Sequence, residues 1–130
     1  MLARFYILLP AVLWLSCGQK PAGESAQEPS TLELADLEMR DGLEFQKGTT
    51  TPFTGTVVER YHDGQRQAET AFNAGRRHGL RTVWYESGKI KSEKYFKDDK
   101  LDGKYTEWNE NGQIQSEKYY KDGVCISGDC

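Results

Sequence analysis

The chain has 130 residues, 37 % of them hydrophobic and 28 % charged, with a formal net charge of −3. That length holds one small domain, and an acidic balance without a basic block excludes a nucleic-acid surface. The 13 glycines, 7 tyrosines, 5 phenylalanines and 3 tryptophans favour glycine turns between half-exposed aromatic strands over helices.

Residues 1–16, MLARFYILLPAVLWLS, place one positive charge at Arg4 ahead of an apolar run from Phe5 to Leu15. As a helix that run would span roughly 16 Å, about half a bilayer core, so it reads as a signal peptide and not as a membrane span. The residues Leu13-Trp14-Leu15-Ser16-Cys17-Gly18 resemble a bacterial lipobox, with Ser16 and Cys17 fitting the pattern and Trp14 and Leu15 departing from it. The resemblance implies a lipid attached at Cys17 and, with Gly18 next, an outer-membrane lipoprotein facing the periplasm or the outside. Ordinary cleavage after a small residue, leaving a secreted or periplasmic protein, is the alternative. Residues 18–31 contain no large apolar side chain and are rich in Gly, Pro, Ser, Ala and Glu. Residues 17–31 therefore read as a flexible tether.

The folded part opens at residue 32. A weak alternation from Ala35 to Arg40, the turn signal Asp41-Gly42, and a second alternation from Leu43 to Lys47 predict a hairpin. Pro52 blocks further pairing. Residues 32–54 read as the N-terminal cap that a repeat array requires.

From residue 55 to the end the chain repeats. Residues 77–100 set over 101–124 match at glycine, aromatic, turn and charge positions, and Gly55, Gly64, Glu69, Phe72 and Gly75 hold the same frame one period earlier. A fixed period of 24 residues marks one supersecondary unit stacked on itself. Each unit predicts an outgoing strand (56–61, 80–85, 104–109), a tight turn at Asp63-Gly64, Ser87-Gly88 or Asn111-Gly112, and a returning strand (65–72, 89–96, 113–120). A second, looser turn follows, longest at 97–102. No stretch here has a helical apolar period. The fold expected is all-β: an elongated antiparallel meander of 24-residue hairpins in a single-layer twisted sheet. Alternation puts Leu80, Thr82 and Trp84 on one face and Arg81, Val83 and Tyr85 on the other, while Ile90, Ser92, Lys94 and Phe96 oppose Lys89, Lys91, Glu93 and Tyr95. Aromatics on both faces leave two arrangements open: a rolled single layer, or a strip with one adhesive face.

Two thiols close the chain. With Cys17 acylated, Cys125 and Cys130 remain, five apart, and in an oxidising compartment a disulfide between them would pin the last strand. A free C-terminal Cys130 is the rival reading.

Catalytic and metal chemistry finds no footing. His62 and His78 sit beside turn glycines at unrelated positions of the repeat, and no metal-ligand spacing accompanies them. The calcium-loop template fails at 98–103, where Lys100 occupies an oxygen position, and at 107–112, where Lys118 occupies the glutamate position. Ser87, Ser92, Ser116 and Ser127 have no histidine in register and no nucleophile-elbow glycines around them. The expectation is a protein with no enzymatic activity, no cofactor and no metal.

The segments Tyr61-x-x-Gly64 … Glu69-x-x-Phe72-x-x-Gly75-x-x-x-Gly79 and Trp84-Tyr85-x-x-Gly88-x-Ile90-x-x-Glu93-x-x-Phe96 resemble the MORN-repeat variant of many bacterial lipoproteins. The resemblance covers roughly residues 41–124 and departs at Arg77-His78, Asp99 and Asn109. It implies an elongated β-meander that binds rather than catalyses. Two functions follow from it. One is a lipid-anchored protein-interaction module of the cell envelope, with Trp84, Tyr85, Trp108, Tyr119 and Tyr120 offering a binding strip. The other is an antitoxin that occludes a cognate toxin, a label many members carry. Packing within the single-layer sheet is the competing role for each of the five rings.

Overall fold

A computed structural model describes residues 30–130. The stretch read as a signal peptide, Cys17 and the stretch read as a tether, as far as residue 29, lie outside the described residues. Ten strands follow in order: β1 (Ser30–Glu33), β2 (Leu37–Arg40), β3 (Leu43–Gln46), β4 (Gly55–Arg60), β5 (Arg66–Asn73), β6 (Arg76–Trp84), β7 (Ile90–Lys97), β8 (Lys100–Trp108), β9 (Ile114–Lys121) and β10 (Val124–Gly128). A single 3-10 turn, Leu34–Asp36, joins β1 to β2. Eight strands form one open sheet in the order β1-β4-β5-β6-β7-β8-β9-β10, and β2-β3 form a separate hairpin. The long all-β meander expected from the period is the fold.

Its N-terminal border differs from the expectation. β1 runs parallel to β4, with Ser30 opposite Gly55 and Glu33 opposite Val58, so the sheet takes in two residues of the stretch read as tether. A parallel pair needs a crossover, and the hairpin β2-β3 is that crossover. It carries Leu37 and Phe53 onto Val57, with Leu32 and Phe72 against them. This is the one apolar core among the described residues, and it sits where the cap meets the sheet. Gly55 makes the parallel pairing possible: a Cβ there would lie 2.2 Å from the Ser30 carbonyl oxygen.

The turns also invert the expectation. The turn after each outgoing strand is the wider one. Tyr61 N–H donates to Gln65 O, the Tyr61 carbonyl oxygen accepts from Gly64 N–H, and Tyr85 and Asn109 repeat the pattern. Only the last loop residue has positive φ, 87° at Gly64, 82° at Gly88 and 81° at Gly112, as in a three-residue loop closed by a glycine bulge. The turn between units is the tight one, two residues both at positive φ: Ala74-Gly75, Asp98-Asp99 and Asp122-Gly123. Asp99 adopts φ 69°, so β8 starts at Lys100 where a loop was expected over 97–102. Strands β6 and β8 thus run nine residues each, through Gly79 and Gly103.

Units are joined at both ends by bonds that recur with the period. At one end Gly75 N–H donates to Phe53 O at 2.8 Å, Asp99 N–H to Arg77 O at 3.0 Å and Gly123 N–H to Leu101 O at 2.8 Å. At the other, the Tyr61 hydroxyl donates to Trp84 O at 2.7 Å and the Tyr85 hydroxyl to Trp108 O at 2.8 Å. In the third unit Asn109 replaces the tyrosine, and its Oδ1 accepts from Asn111 N–H and Gln113 N–H within its own turn.

Candidate functional site

Strand register sorts the side chains into two faces, because paired residues share a face and neighbours along a strand alternate. The cap face, on which the hairpin β2-β3 packs, carries the row Val57-Thr70-Arg81-Lys94-Tyr105-Lys118. The open face carries Val58-Glu69-Thr82-Glu93-Thr106-Glu117 along the adjacent row. Within these two rows the cations stand on one side of the sheet and the carboxylates on the other, while Glu59 and Glu107 add carboxylates to the cap face and Arg66 and Lys104 add cations to the open one.

On the cap face these charges are built into the sheet. Arg81 is bonded to Glu59 at 2.9 Å and to the Thr70 hydroxyl. The Lys94 and Lys118 ammoniums lie 4.4 and 5.8 Å from the centroid of the Tyr105 ring, a cation–π arrangement. Burial lowers the Lys94 pKa, Glu107 opposes that, and the neighbouring Arg81, Lys118 and Lys91 lower it further. Burial and then the hydrogen bond to Glu107 push the Tyr105 phenol up. Each shift has its cause among strand neighbours.

The open face is different. Trp84 pairs with Ile90, Trp108 with Ile114, Leu80 with Tyr95 and Lys104 with Tyr119. Ile90 is 39 % exposed, Tyr95 45 %, Ile114 57 % and Tyr119 42 %, so four of the exposed large hydrophobic residues stand on this one face. Two motif copies set them out as a lattice. Between the apolar pairs runs the glutamate row, whose Thr82 and Thr106 are buried. Glu117 holds Lys104 at 2.8 Å and Glu69 holds Arg66 at 3.2 Å, while Glu93 has no ion-pair partner among the described residues.

The five rings expected to form one strip are divided. Trp84 and Trp108, both half-buried, and the exposed Tyr119 are on the open face. Tyr120 is opposite Gly103 on the cap face, its ring 6.2 Å from Tyr105. Tyr85 lies past the end of β6, its hydroxyl committed to the next unit. Ile90, Tyr95 and Ile114 take the vacated places. Strict alternation assigned Ile90 to the other face with Ser92 and Lys94. The register shift at Val83/Trp84, repeated at Glu107/Trp108, gives β7 and β9 one extra residue and pairs the isoleucines with the tryptophans. A bulge of this kind reverses the facing of everything beyond it. The extra residue is Lys91 in β7 and Gln115 in β9, each left between two paired neighbours.

Cys125 and Cys130 are joined in a disulfide with Cα atoms 6.1 Å apart. It closes a loop around the end of β10, where Asp129 N–H donates to Glu117 O. No group of three or more His, Cys, Asp or Glu among the described residues could hold a metal ion.

No curated protein and no solved structure matches the chain. The family model described as MORN repeat variant matches residues 77–98 and 101–122. Those spans hold the hairpins β6-β7 and β8-β9, the two that build the apolar lattice, and β4-β5 folds in the same way ahead of them. The chain therefore carries the MORN repeat variant, in two tandem copies over residues 77–98 and 101–122.

Proposed function

We propose that this protein is a lipid-anchored, non-catalytic interaction module of the bacterial cell envelope, and that it docks a protein partner on the open face of β6–β9. The observation that carries the docking surface is the gathering of Ile90, Tyr95, Ile114 and Tyr119, all exposed, on one face of the repeat. Apolar side chains clustered in solvent favour a partner that removes them from water. The anchor rests on the lipobox-like residues around Cys17.

Two measurements test the two halves of this reading. Capture from envelope extracts is expected with the full chain and lost with Ile90→Glu combined with Ile114→Glu, since both side chains are exposed and the change leaves the core alone. Identical partners recovered by that variant would overturn the docking face. Cys17→Ala is expected to leave the membrane fraction for the soluble one, and continued fractionation with membranes would remove the lipid anchor.

A further inference from the structure

We infer that the open face binds an extended, basic polyproline-II peptide laid across the strands, with a Lys or Arg at every third position. This deepens the docking reading above and rests on it. The face supplies both elements that such a ligand needs. Glu93 and Glu117 stand in one row on β7 and β9, with β8 between them. Strands in a sheet are about 4.8 Å apart, so these carboxylates recur every ~9.6 Å. A polyproline-II chain rises about 3.1 Å per residue with three residues per turn, which repeats one side of it every ~9.3 Å. The two periods agree to within a few tenths of an ångström, and Glu69 on β5 continues the row.

Between the glutamates the surface is low. Thr106 lies between Glu93 and Glu117 and is 4 % exposed, and Thr82 lies between Glu69 and Glu93 at 8 %. Trp84 and Trp108 with Ile90 and Ile114 flank the row on one side, and Leu80 with Tyr95 and Tyr119 on the other. Aromatic-lined tracks of this kind accept preformed proline helices because little chain entropy is lost on binding. The glutamate row selects the basic version, chiefly through Glu93, which has no ion-pair partner among the described residues. Lys94 and Lys118 are on the opposite face, so they do not meet the ligand. Lys104 and Arg66 do compete for Glu117 and Glu69, through exposed pairs of little net strength. A second copy of this chain is a poorer occupant, since a two-fold contact would set glutamate row against glutamate row.

The test uses the full chain and two synthetic peptides of equal charge, four repeats of Lys-Pro-Pro and four of Lys-Pro-Pro-Pro, titrated by calorimetry at low salt. The first is expected to bind about tenfold or more tightly than the second, whose lysines are ~12 Å apart. Glu93→Gln with Glu117→Gln is expected to weaken it by about tenfold or more, and Lys104→Gln to strengthen it. Lys118→Gln, on the cap face, is expected not to weaken it. Equal binding of the two peptides, no binding of the first, or indifference to the glutamate changes would each overturn the inference. If the peptide fails while Ile90→Glu with Ile114→Glu still abolishes partner capture, the docking face stands and only the ligand class falls.

Discussion

Asp99 sits where the neighbouring units place glycine, at φ 69°, a conformation that L side chains avoid. Its compensation is the clamp on the previous unit: Oδ1 accepts from Arg77 N–H and Nε, each at 3.0 Å. Asp99→Ala keeps the strain and loses the clamp, and urea unfolding is expected to show a loss of about 1–2 kcal/mol. Asp99→Gly relaxes the backbone and loses less. Burial would raise the Asp99 carboxyl, but the Arg77 hydrogen bonds and the Arg77 and Arg76 charges outweigh it and hold the pKa below its ordinary value. A lowered folded pKa gives stability that is present above the unfolded value near ~3.9 and lost as pH falls through the folded one. The stability difference between wild type and Asp99→Asn should therefore shrink as pH falls below about 4. The tyrosine staples are simpler. Tyr61→Phe removes the bond to Trp84 O and should cost about 0.5–1.5 kcal/mol in the same measurement.

At the scale of the element, β10 is the weakest strand. It pairs on one side only, its register slips between Cys125 and Ser127, and Val124 and Ile126 are exposed. The Cys125–Cys130 bond holds it. Closing so short a loop stabilises by roughly 2 kcal/mol, so Cys125→Ser with Cys130→Ser should speed amide exchange in residues 124–128 by about thirtyfold. Strands β5 to β8 should exchange as before, because a repeat array loses its ends first. The same strands show what the sequence made legible. The 24-residue period gave every hairpin from β4 to β9, since glycine and aromatic positions recur in register. Facing was legible on β6 and β8, where the register shifts against β5 and β7 leave residues 80–84 and 104–108 alternating as expected. It was not on β7 and β9, where one extra residue beside Trp84 and Trp108 turns Ile90 and Ile114 over. Nor was β1: four residues of Ser-Thr-Leu-Glu carry no pattern, and they become a strand only because Gly55 lets the parallel neighbour approach. Asp98-Asp99 read as loop because the bonds that hold Asp99 at positive φ come from Arg77, 22 residues away in sequence.

Across the whole molecule the sheet is open, long and sided. One apolar core at the cap holds its start. Beyond it each hairpin leans on the one before through a turn bond at one end and a tyrosine at the other. Adding a unit therefore adds two strands and disturbs nothing upstream. A variant with residues 77–100 duplicated should fold, with its longest dimension in solution scattering greater by about 9–10 Å. Charge follows the same logic: Glu93-Lys94 and Glu117-Lys118 each send one charge to each face, so every added unit would extend the carboxylate row and the ammonium row together. Asn109 then acquires a meaning beyond its own turn. The two tyrosines before it reach forward to a following hairpin, whereas Asn109 spends its side chain on Asn111 and Gln113 and reaches nothing. It works as punctuation. A unit inserted ahead of it leaves those bonds as they are, so the duplication of residues 77–100 should leave amide exchange in the 109–113 turn unchanged.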